Sequence, residues 1–339
     1  MRKIITHILS FVLLANVFIS CSTDVDLYAD YKDITVVYGL LDPGKDTNFV
    51  KINKAFLGPG NAFEIAMIAD SCNYPNKLDA TITEYRSPVT SNNYQATKTF
   101  SLDTITIHTK EPGTFYAPDQ LVYYTTQPIR VNKDSYKYKY ELQIDRGDTI
   151  LKAETSIVGG SEFAIDTKPL GFSSDKGTIK WRPCPNASVY EVVIKFYFTE
   201  IGPTHDSIHR CMSWSLGTHP TSSLTEDNGK YVINYKSAVF YTTLASFLGN
   251  DTLKTDVERV VKDPCLGVSI SAGGEELYNF IAVNGPSNSI VQSIPEYTNI
   301  SGGGYGVFSS RAQKEQMVRM SSFSDLTKEH ENWRFRQGK

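Results

Sequence analysis

Residues 138–155, YKYELQIDRGDTILKAET, carry the clearest structural signal in the chain. Tyr138, Tyr140, Leu142 and Ile144 alternate with Lys139, Glu141, Gln143 and Asp145, and this period of two is the pattern of a strand with one buried face. Arg146-Gly147-Asp148 supplies turn chemistry, and residues 149–155 alternate back. The stretch therefore predicts a β-hairpin. Arg-Gly-Asp also spells an integrin-recognition tripeptide, but between two strands it reads as the turn itself.

Working outward, the same pattern recurs. Residues 34–41 (ITVVYGLL) are rich in β-branched side chains. Asp42-Pro43-Gly44 turns the chain, and residues 49–53 (FVKIN) alternate in return. Residues 78–83, 101–109 and 121–126 add further strands, while residues 61–70 predict a helical turn capped by Asn61. About seven short, turn-separated strands over residues 34–158 predict an antiparallel, immunoglobulin-like β-sandwich. Gly159-Gly160-Ser161 reads as a linker to a second β-rich domain, residues 161–339.

In that second region, residues 177–198 (GTIKWRPCPNASVYEVVIKFYF) place Ile179 and Trp181 on one strand face, and Tyr190, Val192 and Ile194 on the next strand. These residues resemble the B and C strands of fibronectin type III domains, where a Trp and a Tyr pack across the core. Asn228-Gly229 predicts a hairpin. Residues 238–248 predict a helix, with Ser237 as its cap, and residues 274–283 fit a helix or a strand. The second domain is thus fibronectin type III-like with helical insertions, and the chain as a whole is mainly β. Residues 324–333 predict a closing helix, with Trp333 or Phe335 docking back.

The first residues have a different character. Arg2 and Lys3 precede an apolar run over residues 4–19, and Ser20 precedes Cys21, which is the plan of a signal peptide over residues 1–20. A lipoprotein signal peptidase would cut before Cys21, so Cys21 would carry the lipid. Residues 21–33 read as an acidic tether. The run is shorter than the roughly 20 residues a membrane-spanning helix needs. A formal net charge of −3 leaves no basic excess for phosphates, so nucleic acid is not an expected partner.

Cys72, Cys184, Cys211 and Cys265 follow in a compartment that permits disulfides, and a bridge among Cys184, Cys211 and Cys265 is one expectation. Buried unpaired thiols are the other. His205 and His209 are four apart, but Pro203 and the β-rich context argue against the helix that would align them as metal ligands. No GxSxG elbow occurs, and adjacent Glu275 and Glu276 would point to opposite faces of a strand. The triple glycine at 302–304 lacks the following helix and Lys-Ser/Thr pair of a phosphate loop. No catalytic residue, metal or cofactor is predicted. The 20 tyrosines suit a sandwich core better than an exposed carbohydrate-binding row, although Tyr123, Tyr124, Tyr136, Tyr138 and Tyr140 are candidates for such a row.

Three stretches together resemble a family. VVYGLL (36–41), YELQIDRGDTILKAETSI (140–157) and YTNISGGGYGVFSSR (297–311) are similar, in that order, to an uncharacterised family of Bacteroidota lipoproteins. The resemblance implies an outer-membrane location, often beside TonB-dependent receptors. Asp24 and Asp26 loosely resemble the surface-export signal of that phylum. It also implies O-glycosylation at Asp-Ser/Thr-aliphatic sequences, here at Thr104, Thr149, Ser207 and Thr252. The expected function is that of a non-enzymatic, lipid-anchored accessory protein contacting a membrane receptor, another envelope protein or a ligand. Glycan binding within a polysaccharide-uptake system is the alternative.

Overall fold

The computed structural model describes residues 32–57, 61–109, 111–117, 119–133, 135–249, 256–285, 296–328 and 330–338. Residues 1–20, read above as a signal peptide, and Cys21, Asp24, Asp26 and Thr252 lie outside them. The segment ITVVYGLL belongs to β1 (Lys32–Leu41), so the strand takes up the last two residues assigned to the tether. It pairs antiparallel with β2 (Asn48–Leu57), from Lys32 opposite Leu57 to Gly39 opposite Val50. The helical turn predicted over 61–70 is two short helices, α1 (Ala62–Ala66), capped by the Asn61 side chain, and α2 (Ala69–Cys72).

Next come β3 (Asp79–Pro88), β4 (Gln95–Ser101), β5 (Asp103–Ile107) and β6 (Gln120–Thr125). The quoted hairpin is β7 (Tyr136–Asp145) and β8 (Ile150–Ser156), with Asp145 opposite Ile150. Its alternation is realised as read. Tyr138, Tyr140, Leu142 and Ile144 are buried, and so are Leu151 and Ala153. Strands β4-β3-β7-β8 form one sheet.

The second half contributes β9 (Lys176–Trp181), β10 (Val189–Ile201), β11 (Ser207–Pro220), β12 (Thr225–Asp227) and β13 (Lys230–Lys236). Asn228 and Gly229 form the β12–β13 turn, both at positive φ. Then follow α3 (Ser237–Leu248), β14 (Glu258–Val261), β15 (Leu266–Gly273) and α4 (Glu275–Asn284). The chain closes with β16 (Tyr305–Val318), α5 (Ser324–Lys328) and β17 (Phe335–Gln337). The sequence left 274–283 undecided; it is helical. Ser237 is the first residue of α3 rather than its cap, and its hydroxyl donates to the Ser174 carbonyl instead.

The protein is mainly β, with several sheets in sandwich-like layers. A ten-stranded sheet, β17-β14-β10-β15-β16-β1-β2-β6-β5 with β11 alongside β10, runs through both halves of the chain. The sheet of β4-β3-β7-β8 packs on its β1–β2 end through Val37, Val50, Ile82, Leu142 and Phe308. The small sheet β12-β13-β9 and α3 pack elsewhere on it through Trp181, Tyr190, Phe196, Tyr235 and Phe240. Trp181 and Tyr190 meet edge to face, with ring centroids 5.4 Å apart.

The two apolar clusters meet at adjacent residues, Ile157 in the first and Val158 in the second. The sheet does not divide there. Nor is the second unit the whole of 161–339, because Ile300 and Phe308 return to the first core. The reason is β16, which lies parallel to β1 from Val36 opposite Tyr305 to Leu41 opposite Ser310.

The glycine motif makes that return possible. Gly306 has φ +106°, and a Cβ there would sit 2.0 Å from the Val37 carbonyl oxygen. Gly302, at φ +81°, would meet the Ile150 carbonyl at 2.6 Å. The backbone thus threads between β8 and β1, tied by Ser301 N–H to the Lys152 carbonyl and by Asn299 Nδ2–H to the Glu154 carbonyl. The three stretches that carry the family resemblance are therefore one structural unit.

No bridge joins the cysteines: Cys72, Cys184, Cys211 and Cys265 are all free. Cys211 lies opposite Tyr197 across β10–β11, and the Cys265 carbonyl accepts the Tyr197 N–H from the other side of β10. Two strand spacings, about 9.5 Å, thus separate them, beyond the roughly 7 Å Cα limit of a disulfide. Burial also pushes the Cys184 and Cys265 thiols up to about 12, so both stay protonated.

Gly306→Ala should cost about 3 kcal/mol or more, since left-handed backbone strain is joined by a collision with backbone. Gly303 shares a positive φ but has open space around it, and Gly303→Ala should cost only about 1–2 kcal/mol. Urea unfolding of both variants checks this, and equal losses would exclude the collision. Thiol labelling of the native protein should modify Cys211 fast and Cys72, Cys184 and Cys265 only after unfolding.

Candidate functional site

The alternation in β1 puts Val37 and Leu41 in the core and leaves Tyr38 on the opposite face. In β2, Val50 and Ile52 point inward while Phe49 and Lys51 point outward. Tyr38 lies opposite Lys51, and Phe49 lies opposite Tyr124 of β6, with rings 6.3 Å apart. Along the outward side of β16, α4 brings Phe280 edge-on to Tyr38 at 5.9 Å.

Between them opens a hollow of about 450 Å³, bordered by Tyr38, Phe49, Phe280, Ile281, Lys45 and Arg311. Its polar floor comes from the β1–β2 turn. Asp42 N–H donates to Asn48 Oδ1 at 2.6 Å, and Asp42 Oδ1 accepts the Gly44 N–H at 3.0 Å. The first of these bonds fixes which end of the Asn48 amide is oxygen. The Asn48 side-chain NH2 is then left without a partner, in a residue only 3% exposed that lines the hollow. A buried donor left unpaired costs about 1–3 kcal/mol. Asp42 Oδ2 sits 3.3 Å from Arg311 Nε as an ion pair without hydrogen-bond alignment.

A second hollow, about 580 Å³, lies on the other side of Tyr38 between β1–β2 and α1–α2, lined by Val36, Asn53, Phe63, Phe115 and Tyr116 among others. Asn53 Nδ2–H donates to the Cys72 carbonyl at 3.0 Å, leaving its buried Oδ1 unpaired. The two hollows share Tyr38, so the outward face of β1–β2 carries a groove of two adjoining hollows with the Tyr38 ring between them.

Helix α4 is seated by Glu276. Its carboxylate accepts hydrogen bonds from Ser309 Oγ at 2.8 Å and Thr155 Oγ1 at 3.0 Å, and the Leu277 N–H reaches Ser309 Oγ at 3.3 Å. Burial raises the Glu276 pKa from its ordinary value, against the opposing effect of those hydroxyls. Glu275 is exposed. The two therefore do not work as a pair.

The structure scatters the remaining candidates. Thr104 is half-buried on β5, Thr149 is half-buried in the β7–β8 turn, and Ser207 is exposed where β11 starts. Arg146 bonds Asp148 and Thr35 Oγ1, which turns the tripeptide back onto its own fold. His205 occupies a turn at φ +66°, and His209 sits on β11 against Thr199. Among the described residues, no group of three or more His, Cys, Asp or Glu gathers as a metal site. Tyr123, Tyr138 and Tyr140 are core residues, whereas Tyr124 and Tyr136 reach the surface. The groove residues Tyr38, Asn48, Phe49 and Phe280 were not singled out from sequence. The available signal was that residues 36, 38 and 40 are as apolar as 37 and 41, which marks a strand covered on both faces.

No protein-family model and no curated protein matches this chain. Among solved structures, squid arrestin is similar at 8% sequence identity over 70% of this chain and 92% of arrestin, with a TM-score of 0.14. So low a score carries no argument about fold or activity.

Glu276→Gln should change the pH dependence of stability in one direction. Its folded pKa is raised, so the carboxyl's contribution is full below its unfolded value, near 4.5, and is lost as pH rises through the folded value. Relative to wild type, the Gln variant should therefore gain stability between pH 4 and pH 7 in urea titrations. A relative loss over that range would contradict the burial assignment.

Proposed function

We propose that this protein is a non-enzymatic binding component of the bacterial outer membrane, lipid-anchored through Cys21. It contacts a receptor, another envelope protein or a ligand through the groove centred on Tyr38. The observation that carries the reading is the pairing of exposed aromatic faces with an unpaired buried amide donor. Both are groups that hold a ligand, and both cost stability when left empty. Aromatic anchors in such hollows commonly supply most of a binding energy.

The alternative, glycan binding, is favoured by the same hollow. Tyr38, Phe49 and Phe280 offer rings for stacking on sugar C–H faces, while Asn48 and Lys45 supply donors for hydroxyl oxygens. The burial of Tyr123, Tyr138 and Tyr140 removes a wide planar row from consideration, so the predicted glycan contact is a short stretch at the hollow.

Two measurements test these readings. Cys21→Ala should leave the leader uncut and move the protein out of the outer-membrane fraction; unchanged processing and location would end the anchor. For the groove, a photo-cross-linker at position 49 should capture a partner in intact cells. Tyr38→Ala should weaken that partner, or a neutral oligosaccharide measured by calorimetry, by about tenfold. Undiminished binding by folded Tyr38→Ala would exclude the groove.

A further inference from the structure

The end of the fold at which the chain enters from Cys21 carries an unusual surface. Lys32 begins β1 opposite Leu57, the last residue of β2, and α1 and α2 are the next described elements in the chain. On these helices and the turn between them, Phe63 is 70% exposed, Met67 66% and Ile68 54%. Phe115 is 59% exposed on the neighbouring loop, which is held against α1 by the Tyr116 N–H bonding the Ala66 carbonyl. Phe63 and Phe115 border the same hollow. Single exposed apolar residues are ordinary, but four large ones gathered at one end of a molecule mark a contact surface.

The chain outside the structure says what that surface meets. Residues 22–31 are ten residues, which span at most about 36 Å when fully extended. A lipid on Cys21 therefore keeps this end of the fold within about that distance of the bilayer. We infer that Phe63, Met67, Ile68 and Phe115 form an apolar wedge that inserts into the headgroup–acyl boundary beside the anchor. The inference rests on the lipid-anchor reading for its geometry.

The charges nearby are mixed. Glu64 and Asp70 stand on the two helices with Lys54 and Lys77 close in the chain, so attraction comes from apolar burial rather than from anionic headgroups. An anchored protein with such a wedge gains a second attachment, which fixes its tilt and stops it from swinging on the tether.

The natural tryptophans Trp181, Trp214 and Trp333 are buried in the second core, so an added surface tryptophan reports separately. The test uses the full mature protein reconstituted in neutral dioleoylphosphatidylcholine vesicles with brominated acyl chains. Bromine should quench Met67→Trp several-fold more strongly than Val239→Trp, an exposed position on α3. The difference should persist in high salt. Circular dichroism confirms that each variant is folded, and Phe63→Trp repeats the measurement at a second wedge position. Equal quenching at 63, 67 and 239 would overturn the wedge, as would quenching that requires anionic lipid. If positions 63 and 67 are shielded only when another envelope protein is present, the surface is a protein contact and the inference fails. The mass of the N-terminal peptide from the same preparation reports acylation independently, so a missing anchor and a missing wedge give different results.

Discussion

The parallel pairing of β1 with β16 is the constraint on which the rest of the molecule depends. It joins residues some 270 positions apart in sequence, and it turns two layered cores into outgrowths of one sheet. The first core needs Phe308 from β16 to complete the wall made by Val37 and Val50. The second uses Ala312 and Val318 further along the same strand. Neither half can finish its hydrophobic layer before the C-terminal part of the chain is in place. Parallel pairs need long crossover connections, and here the connection is residues 42–304, most of the chain.

Polar groups buried in the sheets follow a consistent plan. Glu84, in the middle of β3, accepts from Tyr140 Oη at 2.9 Å and Thr97 Oγ1 at 2.6 Å, with Arg130 3.5 Å away. Fully buried Arg259 bonds Glu200 at 3.0 Å and the Trp333 carbonyl at 2.8 Å, and Arg210 completes the pair from β11. Each cluster ties segments far apart in sequence and satisfies its charges where it stands, as buried charges require. Against that background, the buried atoms without a hydrogen-bond partner among the described residues, Asp42 Oδ2, Asn48 Nδ2, Asn53 Oδ1 and Trp181 Nε1, stand out, and the first three belong to residues that line the two hollows.

What could be read from sequence was local, and what could not was the meeting of distant segments. The β7–β8 hairpin follows from period-two alternation around a turn and the β12–β13 turn from Asn228-Gly229, while the Trp181–Tyr190 contact was implied by the resemblance to fibronectin type III strands. The glycines at 302–304 were legible as something other than a phosphate loop, although not as the passage between β8 and β1. Nothing in the sequence says that Cys211 and Cys265 stand on opposite flanks of β10, so a bridge looked possible from count alone. The groove was hidden for the same reason. Tyr38, Asn48 and Phe280 come from a strand, a turn end and a remote helix, and apolar strand residues read equally well as core.

The layout of β1 gives the groove a direction. The strand begins at the end where the chain enters from Cys21 and finishes at the turn that carries Asp42 and Asn48. Ten strand residues rising about 3.3 Å each separate those two ends by roughly 30 Å. Under the proposed anchor at Cys21, the hollow beside α1 would lie nearer the bilayer than the hollow with the Asn48 amide. A free ligand would need only the distal hollow. A partner spanning both hollows would cover Tyr38 as well, because that residue lines each of them, so Tyr38 is common to either kind of binding.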